Sequence, residues 1–201
     1  MATTPNYGWT TPNDSDAFKD GALAIRTLGN GVDTTLKTAL GGNYPGLRLV
    51  KTQTIGSGVS SVSVANAFSS TYQNYKILVN GGVGSGAAVI TMQLTGSTAN
   101  YSNNLIFSTW GSTAITAIAP VTTAFYYAAY MNSGMIDATI DVNAPFLAKP
   151  TTMFNSWKTT SEGGTANCYH SVAASYTGFT LTTTTGTMTG GTIYVYGYGA
   201  S

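Results

Sequence analysis

The stretch IDATIDV, residues 136–142, places an isoleucine, alanine or valine at every second position and a polar residue between them. Because successive side chains of a β-strand point to opposite faces of a sheet, this alternation predicts a strand with one buried and one exposed face. Residues 88–94, AVITMQL, repeat the pattern from Ala88 to Leu94. Strands of this kind are typical of antiparallel sheets that cover a single core.

Other segments extend this pattern in both directions. Runs rich in β-branched and aromatic residues predict further strands at residues 75–79, 124–130, 172–176, 179–183 and 192–198. Turn residues separate the runs at Asn80-Gly81-Gly82, Gly84-Ser85-Gly86, Asn132-Ser133-Gly134, Glu162-Gly163-Gly164 and Gly190-Gly191. About eight to eleven short strands indicate a mainly β fold, an antiparallel β-sandwich of jelly-roll type. No fixed repeat of about 20 to 50 residues is present, which argues against a solenoid.

Residues 14–40, DSDAFKDGALAIRTLGNGVDTTLKTAL, follow a different period. Apolar residues recur every three or four positions, which predicts an amphipathic helix. This apolar stripe consists of Phe18, Ala22, Ile25, Leu28, Val32, Leu36 and Leu40. Thr11 is the predicted N-cap, with Pro12 as the first helical residue, and Gly41-Gly42 is the predicted end.

Glycines weaken this helix prediction. Each of Gly21, Gly29 and Gly31 costs about 1 kcal/mol relative to alanine inside a helix. The segment Gly29-Asn30-Gly31 is therefore also compatible with a break between two short helices.

Charge is unevenly distributed along the chain. Charged residues make up only 7% of the sequence, against roughly 25% in typical soluble proteins. Residues 14–40 contain seven of them: Asp14, Asp16, Lys19, Asp20, Arg26, Asp33 and Lys37. The much longer segment 51–201 contains another seven: Lys51, Lys76, Asp137, Asp141, Lys149, Lys158 and Glu162. This change predicts two parts, an arm with an oligomerisation or attachment helix at residues 1–42 and a β-sandwich domain at residues 43–201.

Composition also excludes several classes of function. The formal net charge is +1, so no basic surface for nucleic acid is expected. No apolar run approaches 18 residues, so we expect no membrane span. The first residues, MATTPN, have neither a basic start nor an apolar core, so we expect no cleaved signal peptide and synthesis in a cytoplasm. Cys168 is the single cysteine, which excludes an internal disulfide.

Candidate catalytic groups are few. Cys168 and His170 lie two residues apart, on one face of a strand, but no second histidine or cysteine accompanies them, so a buried structural pair is favoured over a nucleophile or a metal site. Asp137 and Asp141 are about 13 Å apart along a strand, whereas glycosidases need about 5 Å or about 6.5 to 9.5 Å. Pairing of either with Glu162 or with a carboxylate of another subunit stays open. We expect no enzyme activity, cofactor or metal.

Aromatic residues provide two further candidates for contact. Tyr194, Tyr196 and Tyr198 alternate along the last predicted strand and share a face, where they would stack on a ligand or pack in an interface. Tyr7 and Trp9 lie in the predicted irregular arm. They would either staple the arm to the start of the helix or dock into another protein.

The amino-terminal segment also resembles a known family. The strings TPNYGW at residues 4–9, PND at 12–14 and KDGALAIRTLG at 19–29 resemble the start of many structural proteins of tailed bacteriophages, often labelled tail fibre or minor tail proteins. The ending GTIYVYG, residues 191–197, is similar to the closing strand of a phage-type β-sandwich.

The resemblance implies a homotrimeric virion component without enzyme activity. Its arm would bind other virion proteins, and its β knob would meet a glycan or protein of the host surface. Because such leaders occur on tails and on capsids, a capsid decoration or head-fibre protein is an alternative. A carbohydrate-binding or depolymerase module is a further alternative.

Trimerisation would bury the helical stripe. About six apolar side chains at about 1.5–3 kcal/mol each outweigh the glycine penalties. A monomer would achieve the same burial by folding the helix back on the sandwich. We favour the oligomer.

Overall fold

The computed structural model describes residues 2–12, 17, 20–40, 46–117 and 122–199. It divides the chain into two compact units, Met1–Gly46 with Gly199–Ser201, and Leu47–Tyr198. The first unit holds the amino-terminal arm and the helix, and the second holds the strands of the sandwich.

The arm is a small hairpin and not an irregular segment. Strands β1 (Ala2–Thr3) and β2 (Thr10–Thr11) pair antiparallel. The turn between them is closed by the Trp9 carbonyl, which accepts a hydrogen bond of 2.9 Å from the Thr4 amide. The predicted N-cap at Thr11 is therefore wrong, because the backbone of this residue belongs to the hairpin.

Helix α1 runs from Gly21 to Leu40 without a break. The single-helix prediction is thus correct at Gly29-Asn30-Gly31, whereas the predicted start at Pro12 is wrong, since Pro12 and Ala17 are not helical. The acidic residues Asp14 and Asp16, the stripe residue Phe18 and the glycines Gly41 and Gly42 lie outside the described residues.

The second unit contains thirteen strands among its described residues. Eleven have four or more residues: β3 (Gly46–Thr54), β4 (Ser61–Val64), β5 (Asn74–Gly84), β6 (Ala88–Leu94), β7 (Tyr101–Thr109), β9 (Phe125–Met131), β10 (Ile136–Asn143), β11 (Lys149–Lys158), β12 (Glu162–Ala174), β13 (Phe179–Thr183) and β15 (Thr192–Gly199). The other two are short: β8 (Thr116–Ala117) and β14 (Met188–Thr189).

These strands form two facing layers. One has the order β4-β13-β6-β9, and the other has the order β8-β7-β12-β11-β10-β5-β15-β3. The remaining short strand, β14, pairs with the end of β5. A single residue pair, Met131 with Ile136, links β9 to β10 at the corner between the layers. Strand β9 lies across β11 and β12 without pairing with them. The predicted mainly β fold, an arm and helix followed by an antiparallel β-sandwich, is confirmed.

The core lies between the layers and follows from the alternation in the sequence. In β10 the apolar residues Ile136, Ala138, Ile140 and Val142 are buried, and the polar residues between them face outward. Each fully buried aliphatic side chain contributes about 1.5–3 kcal/mol. Large rings fill the remaining space: Trp157, Tyr75, Tyr101, Phe125 and Phe179 are among the most buried side chains.

Two predicted turns are strands in the structure. Asn80-Gly81-Gly82 continues β5, and Glu162-Gly163-Gly164 begins β12. Gly164 is small for a packing reason, because a Cβ there would lie 2.6 Å from the Cβ of Phe107 and from the indole of Trp157. The run 172–176 is also partly wrong, since β12 ends at Ala174.

Candidate functional site

The aromatic arm residues contact their own helix. Trp9 donates a hydrogen bond of 2.9 Å from its Nε1 to the Thr35 Oγ1. A Cβ added at Gly31 would lie 3.3 Å from the indole of Trp9, so the small residue permits this close approach. Tyr7 stacks on Trp9 with ring centroids 5.1 Å apart and remains 67% exposed. The contact is at the middle of α1, whereas the predicted staple was at its start.

The predicted apolar stripe is largely uncovered. Ile25 is 66% exposed and Leu36 is 50% exposed, and Ala22 is also exposed. Leu28 and Val32 are half-buried. Phe18 and the side chain of Leu40 lie outside the described residues. Because a helix turns about 100° per residue, the stripe lies beside the face that Trp9 occupies.

The predicted tyrosine ladder lies on the outer face of β15, and its last member is engaged. Tyr198 donates a hydrogen bond of 2.6 Å from its hydroxyl to Asp141 Oδ1. Lys76 forms an ion pair of 3.0 Å with the same carboxylate. Burial and this hydrogen bond raise the pKa of Tyr198. Tyr194 and Tyr196 are half-buried. Tyr198 therefore takes part in a local network of the sheet with Asp141 and Lys76.

The three carboxylates of the sandwich do not converge. Asp137 forms an ion pair of 3.3 Å with Lys158, and Asp141 pairs with Lys76. Glu162 lies near Tyr130 of the facing layer. The pKa of Tyr130 is raised mainly by burial, and also by the charge of Glu162 and a hydrogen bond with it. Asp137 and Asp141 share the outward face of β10, while Glu162 is directed to the interior. Each carboxylate thus has its own neighbour: Lys158 for Asp137, Lys76 for Asp141, and Tyr130 for Glu162.

Cys168 and His170 lie in the interior, on one face of β12 as the alternation predicts. Burial raises the pKa of the Cys168 thiol to about 12, so the thiolate that a nucleophile requires is absent at neutral pH. His170 Nε2 is 2.7 Å from the Ser97 hydroxyl, and the ring of Tyr101 is 4.5 Å away, centroid to centroid. Burial lowers the pKa of His170. The two residues act as core packing.

Buried asparagines connect the two layers. Asn155 of β11 donates a hydrogen bond of 2.7 Å from its Nδ2 to the Ala128 carbonyl of β9, and its Oδ1 accepts one of 2.8 Å from the Ala166 amide. Asn103 of β7 accepts a hydrogen bond of 2.7 Å from the Tyr126 amide. A satisfied buried amide is favourable, whereas an unsatisfied one costs about 1–3 kcal/mol.

Sequence reasoning missed a groove on the outer face of β7 and β12. Its floor consists of three cross-strand pairs, which we call the β7–β12 trough: Ser102 with Tyr169, Asn104 with Asn167, and Ile106 with Thr165. One end forms an open depression of about 400 Å³, and the next section forms one of about 300 Å³. The sections are continuous, because Asn104 and Asn167 line both. The alternation of Ser102, Asn104 and Ile106 with Tyr101, Asn103 and Leu105 was the signal available in the sequence.

The described part of the chain lacks two further types of site. No group of three or more histidine, cysteine, aspartate or glutamate side chains is placed to hold a metal ion there. Among the described residues, no helix combines the length and the apolarity required to cross a bilayer.

Comparison with family models, with curated proteins and with solved structures finds no match to this chain.

Proposed function

We propose that this chain is a non-enzymatic structural protein of a tailed-bacteriophage virion, a homotrimeric tail fibre or receptor-binding component. The arm and α1 assemble and attach the protein, and the β-sandwich is the displayed part. The observation that supports this most strongly is the uncovered stripe on α1. Large apolar side chains at Ile25 and Leu36 are at least half exposed in the single chain, and a contiguous apolar surface marks an interaction site.

The amino-terminal leader supports the same proposal through its resemblance to phage tail fibre and minor tail proteins. Tyr7 supports attachment of the arm to a second virion protein, because its exposed ring is stacked on an indole that is itself fixed to the helix. An arm of this kind serves on a tail or on a capsid. A capsid decoration or head-fibre protein is therefore the second candidate, and antibody labelling of intact particles separates the two locations.

Light scattering of the purified protein tests the trimer. We expect three times the chain mass of 20.8 kDa at micromolar concentration. Ile25→Asp and Leu36→Asp should dissociate the trimer, because each places a charge in the stripe that trimerisation would bury. Leu23→Asp is the matched control, since Leu23 is an equally exposed leucine on the opposite side of α1. A monomeric parent protein, or equal dissociation by all three variants, would contradict the proposal.

Removal of residues 1–13 tests the role of the arm. We expect the sandwich to fold with unchanged circular dichroism, while incorporation into particles fails, because the surface formed by Tyr7 and Trp9 is lost. Trp9→Ala should reproduce this failure in a full-length chain, and Trp9→Phe should preserve more incorporation because it retains the ring. Normal incorporation of the truncated chain would show that attachment uses another surface.

A further inference from the structure

We propose that the β7–β12 trough is a binding site for a neutral oligosaccharide. The inference adds a ligand to the proposed function and rests on it only in supposing that this face is displayed on the particle. It does not depend on the helix or on the oligomeric state.

The shape of the trough fits an elongated ligand. From the pair Ser102 and Tyr169 to the pair Ile106 and Thr165, the trough follows four residues of strand, about 13 Å. An additional apolar recess of about 200 Å³ adjoins the Ile106 end, where Ile115 forms part of the wall. A ligand of several linked rings fills such a groove better than a compact single molecule does.

Unused amides supply the polar recognition. The side chains of Asn104 and Asn167 face each other across β7 and β12, are exposed, and bond to no described residue. A carboxamide offers two N–H donors and one oxygen acceptor, so it can bond to vicinal hydroxyl groups in either direction. The buried amides of Asn103 and Asn155, by contrast, are used within the fold. The outward amides have no such structural role.

Aromatic rings flank these amides. Phe154 of β11 lies directly opposite Asn167 and is 46% exposed, and Tyr169 is 43% exposed. Exposed rings beside the trough provide an apolar surface for the C–H face of a sugar ring, while the neighbouring amides reach its hydroxyl edge. Apolar rings with a few placed polar groups are the usual lining of a ligand site.

The absence of charge determines the class of glycan. None of the six trough residues carries a charge. The closest carboxylate along the row is Asp141, beside Phe154, and it is already paired with Lys76. A sulfated or sialylated glycan would bring an anion to a surface that offers it no cation. The site therefore favours a neutral ligand.

An array of neutral, sialylated and sulfated oligosaccharides, probed with the purified full-length protein, tests the proposal. We expect retention on at least one neutral oligosaccharide, confirmed by calorimetric titration. Asn104→Ala and Asn167→Ala should each weaken that binding by about tenfold, the loss expected for one or two hydrogen bonds. Asn80→Ala is the matched control, because Asn80 is an exposed asparagine on the outer face of β5. The affinity of this variant for the neutral oligosaccharide should stay unchanged.

A readout on the unaltered protein accompanies the variants. In ¹⁵N correlation spectra the side-chain amide signals of Asn104 and Asn167 should shift on addition of the neutral ligand, while those of Asn80 stay in place. Three results would overturn the proposal: no retention on any neutral oligosaccharide, retention on anionic glycans alone, or binding that leaves the trough amides unshifted. A changed oligomeric state in the Asn104→Ala variant would instead identify the face as an interface between copies. Light scattering of the parent protein reports separately on the trimer, so failure of one proposal does not imply failure of the other.

Discussion

The two apolar stripes of this chain differ in where they find a partner. In β10 the stripe of Ile136, Ile140 and Val142 is almost completely buried against the other layer of the sandwich. In α1 the stripe at Ile25 and Leu36 is at least half exposed. The periodicity of a stripe therefore predicts that a surface will be covered, but it does not say whether the covering element belongs to the same chain.

The same substitution in both stripes tests this difference most directly. Ile140→Ala should lower the free energy of unfolding of the sandwich by about 2–5 kcal/mol, because it leaves a cavity in a packed core. Ile25→Ala should change it by no more than about 0.5 kcal/mol and weaken self-association instead. Urea denaturation measures the free energy of unfolding. Sedimentation of the native protein at several concentrations measures self-association. Equal losses of stability would show that the helix stripe is covered within the single chain.

The pH dependence of the melting temperature tests the burial of His170. Burial lowers the pKa of His170 below its usual value near 6.5, so the unfolded chain takes up a proton at a higher pH than the folded chain. The stability contributed by this residue is present above about pH 6.5 and is lost as the pH falls below it. We expect the melting temperature to fall between pH 8 and pH 5. His170 is the only histidine, so His170→Gln should flatten this dependence, and an unchanged slope would contradict the assignment.

The smallest effects are expected on the outer face of the sandwich. Asp141→Asn removes an ion pair with Lys76 and alters the hydrogen bond from Tyr198, whereas Asp137→Asn removes only the pair with the exposed Lys158. Both should cost less than about 1 kcal/mol, with the larger loss at Asp141, because partly exposed pairs are weak. Thermal melts at low and high salt measure the difference. A larger loss at Asp137 would show that the network around Tyr198 adds nothing.

Sequence patterns predicted most of the strands whose inward positions are apolar, although the short β4, with inward Val62 and Val64, was missed. Residues 136–142 satisfy the alternation throughout, and residues 88–94 satisfy it except at Val89, which is also buried. Both segments are strands. Strands β7, β11 and most of β12 were missed, because several of their inward positions are polar: Asn103, Thr151, Asn155 and His170. Asn103, Asn155 and His170 are tolerated inside because groups on other strands and loops bond to them, and a pattern within one segment cannot show such partners.

The same limit explains the misplaced helix start and the missed trough. Thr11 has the residue type of an N-cap, but its backbone pairs with Ala2, which the local sequence around the helix does not reveal. Asn104 and Asn167 have the residue type of turns, and only the pairing of β7 with β12 brings them together. The stripe on α1, by contrast, was predicted from the local sequence, because it depends only on the spacing of apolar residues within one helix.

The edge strand β4 pairs with β13, and their residues Ser63 and Thr180 are 117 positions apart in the chain. At a synthesis rate of about 5–20 residues per second, β4 therefore waits on the order of 10 s before its partner has been made. Pairings this distant also close slowly after synthesis, because a long loop must be ordered first. Helix α1 needs no such wait, since it precedes every strand of the sandwich. On a nascent chain, the element that we assign to assembly is complete before the sandwich can close.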